Sequence, residues 1–236
     1  MSRSLFRARA RRLAADERGI TLVEITIAVF LTSLVAAVVL AMFVGVTKSS
    51  NENNKINTDT RSASNGMNEM ARMIRAATEN PLANPASGVY PNESAIVAGS
   101  GLRSITLYAY VNLDSASETP VKVTFSVNAK NQLIETKYLA TGLTNSHWNF
   151  NTTPQSPRVL SDSVDPTAPL FTYLTDQGTT VPVPTGGFAD STTLLSIRAI
   201  TIALPVKSAG SNWSAVTLQN TVAMPNLGLT RSGTGS

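Results

Sequence analysis

An unbroken apolar run from Ile25 to Val46 is the feature that most constrains how this chain can fold. The run has no charged residue, and its only interruptions are three hydroxyl side chains and one glycine. A helix made of these 22 residues would be about 33 Å long, which is enough to cross a lipid bilayer. One carboxylate, Glu24, stands immediately before the run, where a membrane makes charge costly. The sequence therefore predicts a membrane-spanning helix with an acidic residue at its start.

The segment before the run is strongly basic. Residues 1–19 contain six arginines, and their only acidic residues are Asp16 and Glu17. Positive charge beside a membrane helix holds that flank in the cytoplasm. We therefore predict a single-pass protein of the cytoplasmic (inner) membrane whose C-terminal domain lies outside.

Two ordinary interpretations fit this N-terminus. The first is an uncleaved signal anchor, which an arginine-rich start before one apolar helix commonly indicates. The second is a secretory signal peptide cut after small residues near Ala41, although the apolar part of such a peptide is normally about 7 to 15 residues long. Neither interpretation accounts for the carboxylate of Glu24.

A third interpretation is a family resemblance. Residues 19–24 read Gly-Ile-Thr-Leu-Val-Glu ahead of an apolar helix, and this resembles the prepilin signature of type IV pilins and type II secretion pseudopilins. The resemblance implies that a membrane prepilin peptidase cuts after Gly19 and N-methylates the new first residue, Ile20. It also implies that Glu24, then the fifth residue, pairs with the free amine of Ile20 on a neighbouring subunit. Such a pair would set the axial register between packed helices.

The chain departs from the family pattern in three respects. Its first mature residue would be Ile20, where phenylalanine is commonest, and its leader of 19 residues is longer than that of many pilins. It contains no cysteine, whereas many major pilins close a C-terminal loop with a disulfide. The exported domain must therefore be stabilised by its core alone, for which residues 80–236 are sufficient in number.

Removal of the leader would change the net charge. The leader holds six of the 19 basic residues and two of the 15 acidic ones, so the rest of the chain has thirteen of each. The net charge would fall from +4 to zero. The basic character thus belongs to the leader, and no nucleic-acid partner is expected.

The helix is predicted to continue beyond the membrane. Residues 20–47 form the transmembrane half, and residues 48–79 form an amphipathic half. Apolar or small residues there recur at intervals of three and four, which indicates one helix face; they are Ile56, Thr60, Ala63, Met67, Met70, Ile74 and Ala77. We expect Ile56, Met67, Met70 and Ile74 to pack this helix onto a sheet. Pro81 and Pro85 are expected to stop the helix.

Beyond residue 100 the pattern changes to strands. Ser104–Val111 and Val121–Val127 alternate apolar and polar residues with period two, which is typical of half-buried strands. Leu133–Leu139 is predicted to pair with the second of these across a turn. Later candidates are Leu170–Leu174, Leu194–Leu204 and Ala215–Met224. The prediction is an α+β domain at 80–236, with the long helix on an antiparallel sheet, and this layout resembles a pilin domain.

Two segments are predicted to be long loops, Thr141–Pro169 and Asp176–Ser191. Trp148 and Trp213 could be adhesive contacts, or they could cover the core as half-buried lids. Four carboxylates also fall in these segments, where calcium often binds, although their spacing matches no EF-hand loop; they are Asp162, Asp165, Asp176 and Asp190.

Enzyme chemistry finds no support in the sequence. The chain has one histidine, His147, and no cysteine. It also lacks the short motifs of nucleophile elbows, phosphate-binding loops and zinc proteases. We expect no catalytic residue, no cofactor and no metal.

The sequence therefore favours a structural subunit of a type IV pilus-type filament. A mature length of about 217 residues favours a minor pilin. The expected partners are other pilin or pseudopilin subunits, the prepilin peptidase and the inner membrane, and the final location is an extracellular or periplasmic filament. Two alternatives stay open: a minor pseudopilin of a type II secretion system, and an uncleaved, membrane-anchored surface binding protein.

Overall fold

The computed structural model describes residues 20–86, 91–111, 119–165, 167–207 and 215–228. The chain divides into two compact units, Met1–Glu52 and Asn53–Ser236. Helix α1, Leu22–Arg75, contributes residues to both units.

The described part of the first unit consists of the apolar half of α1. Every described residue as far as position 50 is exposed, and the helix is long and apolar enough to cross a membrane. The hydroxyls of Thr26 and Thr32 donate to the carbonyl oxygens four residues earlier, at 2.8 and 2.7 Å. Because these polar groups are satisfied within the helix, they are compatible with a surrounding of hydrocarbon.

The second unit is built mainly from antiparallel strands. The described strands are β1 Asn80–Pro81, β2 Asn92–Glu93, β3 Ser104–Ala109, β4 Val121–Val127, β5 Leu133–Thr144, β6 His147–Phe150, β7 Arg158–Ser161, β8 Phe171–Leu174, β9 Thr180–Val181, β10 Ala199–Val206 and β11 Val216–Ala223. A short helix, α2, spans Ser191–Ser196.

Three sheets result from the pairing of these strands. One has the order β3-β4-β5-β6, with β7 also paired to β5; a second has the order β11-β10-β8-β9; and β1 pairs with β2. The C-terminal part of α1 lies on the first sheet, where the Ser62 hydroxyl donates to the carbonyl of Leu160 on β7 at 3.1 Å. The predicted α+β class, with a long helix on antiparallel strands, is confirmed.

The helix ends earlier than predicted. It stops at Arg75, so residues 76–79 are not helical. The Thr78 amide donates to the carbonyl of Tyr108 at 2.9 Å, and the Tyr110 amide donates to the carbonyl of Ala76 at 3.1 Å. Before the first proline, the backbone therefore forms hydrogen bonds to β3 and to the residue after it in place of helical hydrogen bonds.

Strands β3, β4 and β5 correspond closely to three predicted strands, Ser104–Val111, Val121–Val127 and Leu133–Leu139. However, β5 runs on to Thr144, and the predicted loop Thr141–Pro169 also contains β6 and β7. The prediction of a long loop there is wrong. A two-residue turn joins β5 to β6 at Asn145 and Ser146, whose φ angles are 50° and 69°.

The predicted strand Leu194–Leu204 is wrong in its first part. Leu194 lies in α2, which Asp190 caps by accepting hydrogen bonds from the amides of Thr192 and Thr193 at 3.2 and 2.8 Å. An N-cap of this kind starts a helix even when the following residues also suit a strand. Strand β10 begins only at Ala199.

The second predicted loop, Asp176–Ser191, contains only the two-residue strand β9 before α2 begins. Strands β8 and β11 lie within one residue of their predicted bounds. The core of the unit is formed by one face of α1 and the inward side chains of both larger sheets, with Phe125, Phe171 and Tyr173 fully buried.

Candidate functional site

The candidate processing site lies at the start of α1. Gly19, the predicted cleavage residue, lies outside the described residues. Ile20, the residue predicted to be N-methylated, precedes the helix and has an exposed fraction of 71%. Because α1 begins at Leu22, Ile20 lies outside the regular hydrogen bonding of the helix.

Glu24 forms a capping box with Thr21. The Thr21 amide donates to Oε2 of Glu24 at 2.9 Å, and the Glu24 amide donates to Oγ1 of Thr21 at 3.2 Å. These two bonds satisfy two amides that a helix start leaves unpaired. A carboxylate in the first turn also interacts favourably with the helix dipole. This role was not predicted from the sequence, although the Thr-x-x-Glu spacing before an apolar run is its local signature.

The capping box uses only part of the Glu24 carboxylate. The Thr21 hydroxyl also donates to Oε2, at 3.0 Å. All three hydrogen bonds described for the Glu24 carboxylate and the Glu24 amide are therefore made with Thr21. A carboxylate has two oxygens, each able to accept more than one hydrogen bond. Oε1 of Glu24 accepts no hydrogen bond from the described part of the chain. Glu24 can therefore cap its own helix and still accept a cation.

The predicted helix–sheet residues differ in burial. Met67, Met70 and Ile74 have exposed fractions of 6%, 0% and 0%, whereas Ile56 is only half-buried. Gly66 belongs to the same buried face, and a Cβ atom at this position would lie 3.2 Å from Cβ of Leu160. The absence of a side chain at position 66 thus allows β7 to approach the helix backbone.

A cluster of five charged side chains joins α1 to the first sheet. Oε1 of Glu69 lies 2.7 Å from Nη2 of Arg72 and 3.0 Å from Nη2 of Arg158. The other carboxylate, Glu135, has Arg158 at 3.0 Å and Lys137 at 3.2 Å. Lys137 also lies 3.6 Å from Glu69. These residues, here called the ion cluster, tie the helix to β5 and β7.

The two carboxylates of the ion cluster differ in electrostatics. Hydrogen bonds from Arg72 lower the pKa of Glu69 to about 2. Burial raises the pKa of Glu135, since only 2% of its side chain is exposed. Glu135 was not predicted from the sequence, because the alternation along β5 gives no sign that Lys137 of the same strand and Arg158 of β7 converge on it.

His147 contacts the backbone of β1. Its Nδ1 lies 2.8 Å from the carbonyl oxygen of Pro81 and 3.3 Å from Nδ2 of Asn80. Because a carbonyl only accepts, the shorter contact requires the proton on Nδ1. The next residue, Trp148, is half-buried, and Asn80 bonds to both its amide and its carbonyl, at 3.0 and 3.2 Å. The other tryptophan considered, Trp213, lies outside the described residues.

The four loop carboxylates do not converge. Asp165 accepts hydrogen bonds from the amide and hydroxyl of Thr167, at 2.8 and 2.7 Å, and Asp190 caps α2. Asp162 accepts from a glutamine side chain on the β4–β5 turn, and Asp176 is exposed in the turn after β8. Within the described ranges, no group of three or more His, Asp or Glu side chains could hold a metal ion.

Neither a protein-family model nor a curated protein matches this chain. Its functional interpretation therefore depends on its own residues and their geometry.

Proposed function

We propose that this chain is a minor-pilin-like structural subunit of a type IV pilus-type filament. In this proposal a prepilin peptidase cuts between Gly19 and Ile20 and methylates the new amine. The apolar half of α1 first holds the subunit in the inner membrane and later packs among the helices of other subunits. The β-rich second unit is exported as the surface of the filament. That the fold is pilin-like is part of the same proposal.

The observation that carries the proposal is the exposure of the apolar half of α1. Large apolar side chains from Ile20 to Val46 are at least half exposed, and examples are Leu22 at 82% and Phe43 at 68%. Such a surface is stable only in hydrocarbon or against other apolar helices. The Gly-Ile-Thr-Leu-Val-Glu hexapeptide before this helix supports the proposal that the helix occupies these two environments in succession, first the membrane and then the filament.

The geometry of Glu24 supports the assembly step. After cleavage, the amine of Ile20 would be charged at neutral pH and would need a partner inside an apolar bundle. The free oxygen of Glu24 can accept such an amine from a neighbouring subunit without breaking the bonds to Thr21. Since an unpaired charge in that setting is costly, the pair would hold adjacent helices in one axial register.

A second candidate is favoured by the same capping box. Because Thr21 fully engages one oxygen of Glu24, the carboxylate has a local function even in an uncleaved anchor. The protein would then be a membrane-anchored surface domain that binds a ligand. A minor pseudopilin of a secretion system is the remaining alternative, and it differs from the first proposal only in the machine that the subunit serves.

The test is an intact mass and an N-terminal sequence of the protein purified from its native host. A chain that starts at Ile20 and carries one additional methyl group would support the filament proposal. A chain that retains the leader would contradict that proposal and favour the uncleaved anchor.

A matched variant pair tests the position of the cut. Gly19→Ser is expected to block processing and to leave the full-length chain in the membrane. Gly45→Ser, in the apolar run where nothing lies close to the glycine, is expected to be processed normally. Normal maturation of Gly19→Ser would exclude Gly19 as the cleavage residue.

A further inference from the structure

Strand β11 is the outermost strand of its sheet. It pairs with β10 over its whole length, from Ala223 opposite Ala199 to Val216 opposite Val206, without a register shift. The order β11-β10-β8-β9 ends at β11. Among the described residues, therefore, one side of an eight-residue strand has no strand beside it.

The backbone groups that face this open side can be identified. On β10 the Ala203 amide donates to the carbonyl of Leu170, on the β8 side, at 2.9 Å. The backbone N–H and C=O groups of the odd-numbered residues of β10 therefore point towards β8. The N–H and C=O groups of the even-numbered residues of β10 therefore point towards β11, and in the observed register they meet those of even-numbered residues, as Leu204 meets Leu218. N–H and C=O groups alternate in direction along an antiparallel strand. The groups that point away from β10 are therefore those of Thr217, Gln219, Thr221 and Ala223.

The open side of β11 lacks the features that normally block strand addition. Edge strands are usually protected by charge, proline, bulges or short length. Strand β11 reads Val-Thr-Leu-Gln-Asn-Thr-Val-Ala, which has no charge and no proline. By contrast, β9 at the other end of the same sheet has two residues, and the β5–β6 and β5–β7 pairings both contain register shifts.

We propose that β11 is a dimerisation edge, to which β11 of a second copy of this chain adds in antiparallel orientation. The two-fold axis passes through Gln219, so that Gln219 faces its own copy and Thr217 faces Thr221. Each outward N–H and C=O then meets a partner that also points outward. The inference goes beyond the filament proposal, because it does not depend on removal of the leader.

The sequence of β11 favours a second copy as the occupant. In this register Val216 meets Val222 on the core side, and two Thr–Thr pairs form on the exposed side. Pairs of threonines across strands are stabilising, and the same chain already makes one between Thr201 and Thr221, with the hydroxyls 2.8 Å apart. The strand is uncharged, so self-pairing places no like charges opposite each other.

Single-cysteine variants of the full chain in membranes test the proposal directly, because the protein has no cysteine of its own. Under mild oxidation, Gln219→Cys is expected to form a disulfide-linked dimer with itself. Thr217→Cys is expected to form at most about a tenth as much, since its two copies would be about 14 Å apart along the strands. Coexpressed Thr217→Cys and Thr221→Cys chains are expected to restore cross-linking to each other.

A backbone variant provides a second measurement. Gln219→Pro removes an outward N–H while leaving the β10 ladder intact, as proline is tolerated on an open edge. It is expected to reduce chemical cross-linking of the chain to a second copy about tenfold, whereas Gln219→Ala, which keeps the N–H, leaves it unchanged.

Each alternative outcome overturns the proposal. Equal cross-linking of all three cysteine variants would indicate random collision. Absence of the Gln219→Cys dimer in a folded protein would exclude the two-fold pairing. A cross-link from Gln219→Cys to a different protein would assign the edge to another partner.

Discussion

Thr21 and Glu24 hold each other in a reciprocal hydrogen-bonded pair at the start of the apolar helix, at 2.9 and 3.2 Å. The pair explains how a carboxylate can be kept beside a membrane-length run without a partner from another chain. It also means that removal of Glu24 by alanine would delete a cap and a charge together. The two effects must be separated before Glu24 can be assigned to assembly.

Substitution by glutamine separates them. Glu24→Gln keeps an oxygen for the Thr21 amide, since glutamine also completes a capping box, but it removes the charge. We expect normal leader cleavage and at least about a tenfold loss of incorporation into filaments, because the amine of Ile20 would lose its counter-ion. Immunoblotting of sheared filaments and of whole cells measures the fraction of the subunit that is incorporated into filaments.

The complementary control is Thr21→Ala, which removes the cap and keeps the charge. It is expected to cost about 1 kcal/mol of local helix stability and to leave incorporation nearly unchanged. Wild-type incorporation of Glu24→Gln would show that Glu24 serves only as a cap, and the register argument would fail.

The elements that the sequence predicted well are those specified by local patterns. The apolar run and the alternation in Ser104–Val111 and Val121–Val127 are each complete within one segment, so α1, β3 and β4 could be predicted. The Thr21–Glu24 cap is also local, since its two residues lie three positions apart.

The elements that could not be predicted depend on distant partners. Strands β6 and β7 have only four residues each, too few to show a period, and they are held in place because β5 pairs with both. Glu135 is buried on the inner face of β5 because Arg158 lies beside it at 3.0 Å, 23 residues later in the chain. Helix α2 replaces a predicted strand because Asp190 caps it.

The β5–β6 turn offers a test of that hairpin. Asn145 and Ser146 both have positive φ angles, which suits a type I′ turn and favours Asn-Gly. Ser146→Gly is therefore expected to stabilise the second unit by about 0.5 kcal/mol, because glycine adopts this conformation without steric cost. Thermal unfolding of the full chain in detergent would show a higher Tm.

Ser156→Gly is the matched control, since Ser156 is exposed and has no positive φ. It should leave Tm unchanged or lower it slightly. If both glycine variants lowered Tm equally, the left-handed turn would not exist in solution.

The ion cluster predicts how stability depends on pH. The pKa of Glu69 is lowered to about 2 from about 4.3 in an unfolded chain. Its contribution to the free energy of unfolding is thus present above about pH 4.3 and is lost as pH falls towards 2. Glu69→Gln is expected to destabilise the protein by about 1 to 2 kcal/mol at pH 7, and this difference should shrink below pH 4.3.

Urea unfolding at pH 7, 5 and 3 measures the difference, with Asp176→Asn, an exposed turn residue, as the control. The buried Glu135, whose pKa is raised, contributes in the opposite direction, so the comparison must be made between variant and wild type at each pH. A Glu69→Gln deficit that stays constant down to pH 3 would contradict the lowered pKa.

Gly66 is expected to be a contact point between α1 and β7. A Cβ at this position would lie 3.2 Å from Cβ of Leu160 and 3.3 Å from Cδ2 of Leu133, so a larger side chain must displace the strand. Gly66→Leu is therefore expected to destabilise the second unit by about 1 to 3 kcal/mol, although leucine has the higher helix propensity. Ser64→Leu, on the exposed face of the same helix, should change stability by no more than about 0.5 kcal/mol. Urea unfolding of both variants decides the point, and a stabilised Gly66→Leu would mean that β7 does not pack against the helix backbone.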